Sequence, residues 1–168
     1  MRIFRLIFAL LAALALTVAC GPGWDEYQDH YSPAGPVVTA PWSGPESVFI
    51  VLDDAQVEVL LEGMQTYDYQ GALAVSLSDL VIQSGLTPNP ESFRYDFTAT
   101  DGYDLFIKRY EDISLLPSWQ EMLKGYLYWD TRYDDLTAGW TEHPWGSALS
   151  AYQVKWMNGG LITLLPVE

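Results

Sequence analysis

The chain has 168 residues and one cysteine, Cys20. No disulfide can close within a single chain, so the fold must rest on its hydrophobic core. Cys20 directly follows an apolar run that begins near the first residue, and its place there bears on which chemistries remain open. Hydrophobic residues make up 49% of the chain, with seven Trp and eleven Tyr. That supply suits a packed domain, because acidic chains that stay disordered are poor in aromatics.

Arg2 and Arg5 give a short positive segment, and Ile7 to Leu16 is almost pure Leu, Ala, Ile and Phe. Small residues follow. This is the pattern of a secretory signal. The apolar stretch from Ile7 to Ala19 has 13 residues, short of the ~20 that a spanning helix needs. Thr17-Val18-Ala19-Cys20 resembles the bacterial lipoprotein box. The resemblance implies cleavage before Cys20, acylation of its thiol and attachment by lipid. The family prefers Leu where this chain has Thr17. Gly21, and not Asp, follows the cysteine, which by the same resemblance points to the outer membrane, facing the periplasm or the cell surface. Plain signal cleavage with a stray thiol is the other reading. An anchored Cys20 is unavailable as a metal ligand or nucleophile.

Three segments are expected: a signal peptide at 1–19, a lipidated N-terminus and linker at 20–47, and one globular domain at 48–168. The linker carries five prolines and four glycines and no period, so it reads as extended and mobile. Without Arg2 and Arg5, six basic residues face 22 acidic ones, a net charge of −16. Such a surface repels phosphate backbones and anionic headgroups. No nucleic-acid partner is expected, and membrane attachment falls to the lipid. An envelope protein is the expected macromolecular partner.

The domain reads as α+β: a mixed or antiparallel sheet with β-hairpins and two or three short helices. Val48–Leu52 and Gln56–Leu60 suit strands around an Asp53-Asp54 turn. "ALAVSLSDLVIQSGL", Ala72 to Leu86, predicts a strand running into a helix. Ser76 is placed as N-cap with Asp79 in the capping-box position, Leu77, Leu80 and Val81 share one face, and Gly85 ends the helix. "FRYDFTATDGYDLFI", Phe93 to Ile107, predicts a hairpin. A three-residue loop, Thr100-Asp101-Gly102, sets Ala99 against Tyr103, Phe97 against Leu105 and Tyr95 against Ile107, leaving one face apolar; a one-residue slip would mix the faces. Ser118 and Glu121 form a capping box for a short helix presenting Trp119, Met122, Leu123 and Tyr126, with Gly125 inside it. Tyr128 to Pro144 reads as an acidic, aromatic loop. Tyr152, Val154 and Trp156 alternate, and Leu161 to Leu165 is expected to close a C-terminal hairpin after Asn158-Gly159-Gly160.

Little in the domain points to catalysis. Its only histidine is His143, and it has no cysteine, so zinc or iron lacks a donor set. Asp130, Asp134 and Asp135 surround Arg132, which opposes a cation, and the spacing is not that of a calcium loop. Ser147 lies near His143 without the Gly-x-Ser-x-Gly turn. Paired carboxylates arise by chance among so many acids. No catalytic, cofactor or metal site is expected. Trp140-Thr141-Glu142-His143-Pro144-Trp145 crowds aromatic and polar groups together. Trp140, His143 and Trp145 are its ligand-surface candidates, for a sugar or an apolar ligand; plugging the core is the stronger reading of the two tryptophans.

Leu77, Asp79, Leu80, Gly85, Asp101, Gly102 and Tyr103 resemble a segment of the sulfite-oxidase-type molybdopterin-binding fold, over Ala72 to Ile107, 36 residues of the chain. The resemblance implies a mixed α+β domain. Members of that family hold molybdenum through a cysteine thiolate and surround the pterin phosphate with arginines. Here the one cysteine is in the signal region and the domain has only Arg94, Arg109 and Arg132. The resemblance therefore implies a cofactor-free relative. Three functions follow in order: a lipid-anchored, non-catalytic binding or scaffolding module; a molybdopterin-type oxidoreductase or a subunit of one; and a carbohydrate-binding module.

Overall fold

The computed structural model describes residues 37–38, 40–109, 111–140 and 153–167. All of them belong to a unit that begins at Pro33. The segment expected to be a signal peptide, Cys20, His143 and Trp145 lie outside the described residues.

The domain is α+β, as expected. Ten strands are described: β1 Val37–Val38, β2 Ser47–Leu52, β3 Ala55–Leu60, β4 Thr66–Tyr69, β5 Ala72–Ser76, β6 Phe93–Thr98, β7 Gly125–Asp130, β8 Asp135–Trp140, β9 Gln153–Val154 and β10 Leu161–Pro166. Three short α-helices accompany them among the described residues: α1 Leu77–Ser84, α2 Leu105–Lys108 and α3 Trp119–Met122. One sheet has the order β1-β4-β5-β7-β8-β9 and is antiparallel throughout. The other has the order β3-β2-β10-β6, with β2 and β10 parallel.

One hydrophobic core joins the two sheets. It takes Ile50 from β2, Tyr95 and Phe97 from β6 and Ile162 and Leu164 from β10; Leu127 and Leu136 come from the larger sheet and Leu77 and Leu80 from α1. Full burial contributes roughly 1.5–3 kcal/mol for each large aliphatic side chain. The larger sheet also has a second cluster, Tyr69, Ala74, Tyr126 and Tyr128. Tyr126 and Tyr128 flank Leu127, so by strand alternation they point to the opposite face.

Helix α1 follows its sequence pattern. Leu77, Leu80 and Val81 are buried, and Gly85 is left-handed at φ 66 with its N–H on the Ile82 carbonyl. The Ser76–Asp79 capping box does not form. Ser76 pairs its hydroxyl with Ser78 at 2.7 Å, and Asp79 accepts from the Tyr67 hydroxyl at 3.2 Å. Asp is one methylene shorter than the Glu that such a box prefers.

The Phe93–Ile107 hairpin is half right. At its tip Ala99 N–H meets the Tyr103 carbonyl at 2.8 Å, Thr98 bridges Asp104 and Gly102 has φ 87, the three-residue loop and register expected. The return strand stops there. The Asp104 carboxylate accepts from Ile107 N–H and caps α2, so Leu105 is buried while Ile107 stands 61% exposed. Strand β6 pairs along its length with β10 instead.

Four further expectations are corrected. The segment read as linker joins the domain before position 48: β1 pairs with β4, and buried Trp42 donates its backbone N–H to the Met64 carbonyl. Proline and glycine removed any period there without preventing these contacts. Tyr128 to Trp140 is no loop, since β7 and β8 form a hairpin buried on both faces. Gly125 and Tyr126 open β7 and do not belong to the helix, although its Ser118–Glu121 capping box is present. Finally, β10 closes no hairpin with β9, because it crosses into the other sheet.

Two buried positions generate tests. A Cβ at Gly125 would lie 2.5 Å from Leu77 Cδ1 and 2.6 Å from Trp140 Nε1. Gly125→Ala should cost about 2–3 kcal/mol by overpacking, read by urea unfolding; a loss under about 1 kcal/mol would mean that this close approach relaxes easily. Asp96 is buried, and its Oδ1 accepts from Phe97 N–H at 2.8 Å and from Phe106 N–H at 2.9 Å. Burial raises its carboxyl above the ordinary aspartate range, against the pull of those two donors. The folded state then binds this proton more readily than the unfolded chain. Its contribution to stability therefore falls as pH rises from the ordinary aspartate value of about 3.9 through the raised folded value. Asp96→Asn keeps the acceptor without the charge, so it should remove this slope from a plot of stability against pH.

Candidate functional site

The surface group with the most chemical variety forms where the β7–β8 turn meets the segment after β9. Asp130 and Asp135 close the β7–β8 register, leaving Thr131 to Asp134 as the turn. The Asp130 carboxylate organises it. Oδ1 accepts from the Arg132 backbone N–H at 3.0 Å and from Arg132 Nε at 2.9 Å, while Oδ2 takes the guanidinium at 2.6 Å. The Arg132 side-chain hydrogen bonds hold this buried carboxyl below the usual aspartate range. Tyr133 then projects between Arg132 and exposed Asp134, whose φ is 52.

The facing segment is fixed from three sides. Trp156 has φ 55, unusual for a bulky side chain. Its carbonyl accepts from Thr100 N–H and Thr100 Oγ1, both at 3.0 Å. Met157 N–H donates to Leu136 O, Asn158 N–H to Asp135 Oδ1 at 3.0 Å, and Gly159 N–H to Ser47 O at 2.8 Å. Val154 and Met157 are buried while the Trp156 side chain is turned outward, leaving the residue 37% exposed.

The rings of Tyr133 and Trp156 meet edge to face, with centroids 5.5 Å apart and planes at 60°. Lys155 Nζ sits 4.1 Å from the Tyr133 centroid and donates to its hydroxyl. The Arg132 guanidinium carbon lies 5.5 Å from the same centroid. Two rings, two cations and adjacent carboxylates thus share one solvent-facing corner. Such an arrangement can hold a ligand by stacking and hydrogen bonds, and it contains no paired nucleophile and base.

Of the candidates from sequence, Trp140 is described and its place is the core. It is 5% exposed, its indole N–H donates to the Glu121 carbonyl at 2.9 Å, and it packs edge-on to Phe97. Trp140 ends β8, whereas the aromatic corner lies at that strand's other end. Two of the three carboxylates weighed for calcium are engaged, Asp130 by Arg132 and Asp135 Oδ1 by the N–H groups of Leu136 and Asn158, while Asp134 is exposed. Sequence reasoning missed Tyr133, Lys155 and Trp156. The usable signal was a tryptophan directly before a Met-Asn-Gly-Gly turn.

The chain matches no family model, no curated protein and no solved structure.

The Asp130–Arg132 pair sets a pH test. Its folded pKa is lowered, so its stabilisation is present above the ordinary aspartate value of about 3.9 and is lost as pH falls through the folded value. Arg132→Ala should lower the melting temperature at pH 7, and that deficit should shrink as pH falls below the ordinary aspartate value and through the lowered folded one; a deficit unchanged in acid would show that Arg132 acts by packing and not by charge.

Proposed function

We propose that the protein is exported, is held at the cell envelope by lipid on Cys20, and works there as a non-catalytic binding module. The observation that carries the binding role is Trp156. A tryptophan held in a left-handed backbone by two hydrogen bonds from Thr100, and turned outward, does nothing for the core. Strained backbone at a surface aromatic is a recurrent mark of ligand contact. The acidic composition supports the lipid, since a chain of net charge −14 has no electrostatic attraction to anionic headgroups. Gly21 after Cys20 supports the outer membrane, facing the periplasm or the surface.

A molybdopterin-type oxidoreductase is the second reading, favoured by the resemblance over Ala72 to Ile107. The residues do not fit that group. Positions 48–168 supply no thiolate. Arg94 is engaged by the Leu116 carbonyl at 3.2 Å and by Glu121, and Arg132 is forked onto Asp130. Asp79 and Asp101 serve Tyr67 and the Tyr103 backbone.

The test is fractionation of cells expressing the full chain with a photoreactive amino acid at position 133. The chain should sediment with membranes, Cys20→Ala should move to the soluble fraction, and light should yield an adduct from position 133 but none from exposed position 54. A membrane-bound Cys20→Ala would overturn the lipid anchor. Equal adducts from both positions would overturn the binding corner.

A further inference from the structure

We infer that the Tyr133–Trp156 corner is a binding site for a neutral saccharide; this rests on the reading of that corner as the binding surface. Charge excludes the alternatives from both sides. Lys155 and Arg132 lie closest to the rings, at 4.1 Å and 5.5 Å from the Tyr133 centroid, so a cation seeking an aromatic face meets like charge there. The same two cations create no net positive field. Arg132 is neutralised by Asp130 through two charged hydrogen bonds, Asp134 and Asp135 stand beside them, and the whole chain carries −14. An anion is repelled at long range by the acidic chain; at short range Arg132 is already shared with Asp130, and the Lys155 ammonium is turned onto the Tyr133 ring and hydroxyl.

What remains is an uncharged ligand that is apolar on one face and rich in hydroxyls around its rim. A pyranose ring is both. Its axial C–H bonds, slightly positive, match the negative face of an indole, and the Trp156 ring is available to it at the surface. Its hydroxyls match a mixed set of donors and acceptors: the Lys155 ammonium, the outer edge of the Arg132 guanidinium, and the exposed Asp134 carboxylate. The bonds donated by Thr100 and those accepted by the Leu136 and Ser47 carbonyls fix the segment around Trp156 before any ligand arrives, so little ordering cost attends binding.

The full chain labelled with 5-fluorotryptophan gives one fluorine resonance for each of its seven tryptophans, and Trp156→Gly identifies the relevant one. The probes are the neutral hexamers of N-acetylglucosamine and of glucose, the acidic oligomer of galacturonate, and the protein fraction of an envelope extract. The Trp156 resonance should shift saturably with at least one neutral hexamer and not with the galacturonate oligomer. Trp156→Gly should weaken retention on the same immobilised hexamer by at least about tenfold. Glycine takes φ 55 without strain, which offsets part of the lost ring contact with Tyr133, and a melting scan showing the variant folded at the assay temperature separates lost binding from lost folding. If no neutral hexamer shifts the resonance but the protein fraction does, the saccharide assignment falls and the binding corner stands. If nothing shifts it, both fall. A larger shift with galacturonate than with either neutral hexamer would overturn the charge argument.

Discussion

Strand β10 holds the molecule together. It lies between β2, which it meets in parallel from Leu161–Phe49 to Thr163–Val51, and β6, which it meets antiparallel from Leu161–Thr98 to Pro166–Phe93. Without it the β2–β3 hairpin and β6 would be separate pieces with open edges. It also puts Ile162 and Leu164 into the core at full burial. The turn that launches it is tied by Gly159 to Ser47 and by Gly160 to Phe49. That turn directly follows Trp156, so the same contacts that place the central strand also place the aromatic corner. Core and site therefore share one anchor, and the corner inherits its rigidity from the sheet.

The parts that sequence made legible are the local ones. The face of α1, its Gly85 ending and the three-residue turn before Tyr103 each depend on residues a few positions apart, where side-chain period and turn chemistry decide the outcome. The β7–β8 hairpin was illegible for a physical reason. Leu127 packs into the main core while Tyr126 and Tyr128 build the tyrosine cluster on the other face. A strand buried on both faces shows no alternation, and so many acids around it suggested a loop. The partners of β10 were illegible because pairing between residues 63 to 112 positions apart leaves no local mark.

The site was hidden by a period that looked right. Val154 and Trp156 are two apart and would share a strand face, yet β9 ends at Val154 and the left-handed backbone at 156 leaves Trp156 exposed while Val154 is buried. Trp140 and Trp145 drew attention because they crowd a short stretch with His143. Crowding in sequence is a poor guide to exposure: Trp140 fills the space that Gly125 leaves open, whereas among the described residues the exposed tryptophan is Trp156, from a less conspicuous place. Tyr133 shows the complementary case. Its sequence neighbours are charged, so its ring looked like decoration on a solvated turn, and only the fold brings Lys155 and Trp156 against it.

The position of β10 also has a kinetic consequence. Because the four-stranded sheet needs residues 161–166 at its centre, neither β2 nor β6 can find its final neighbour until nearly all of the described chain is present. Pairings this distant raise contact order and slow folding. In the meantime the β2–β3 hairpin and β6 each expose an edge that will accept any strand on offer. Emergence of the C-terminal segment is thus the event that commits the chain to its native state, and a nascent polypeptide lacking it is held open. Under the proposal that the chain is exported unfolded through a translocation channel, late commitment is an advantage.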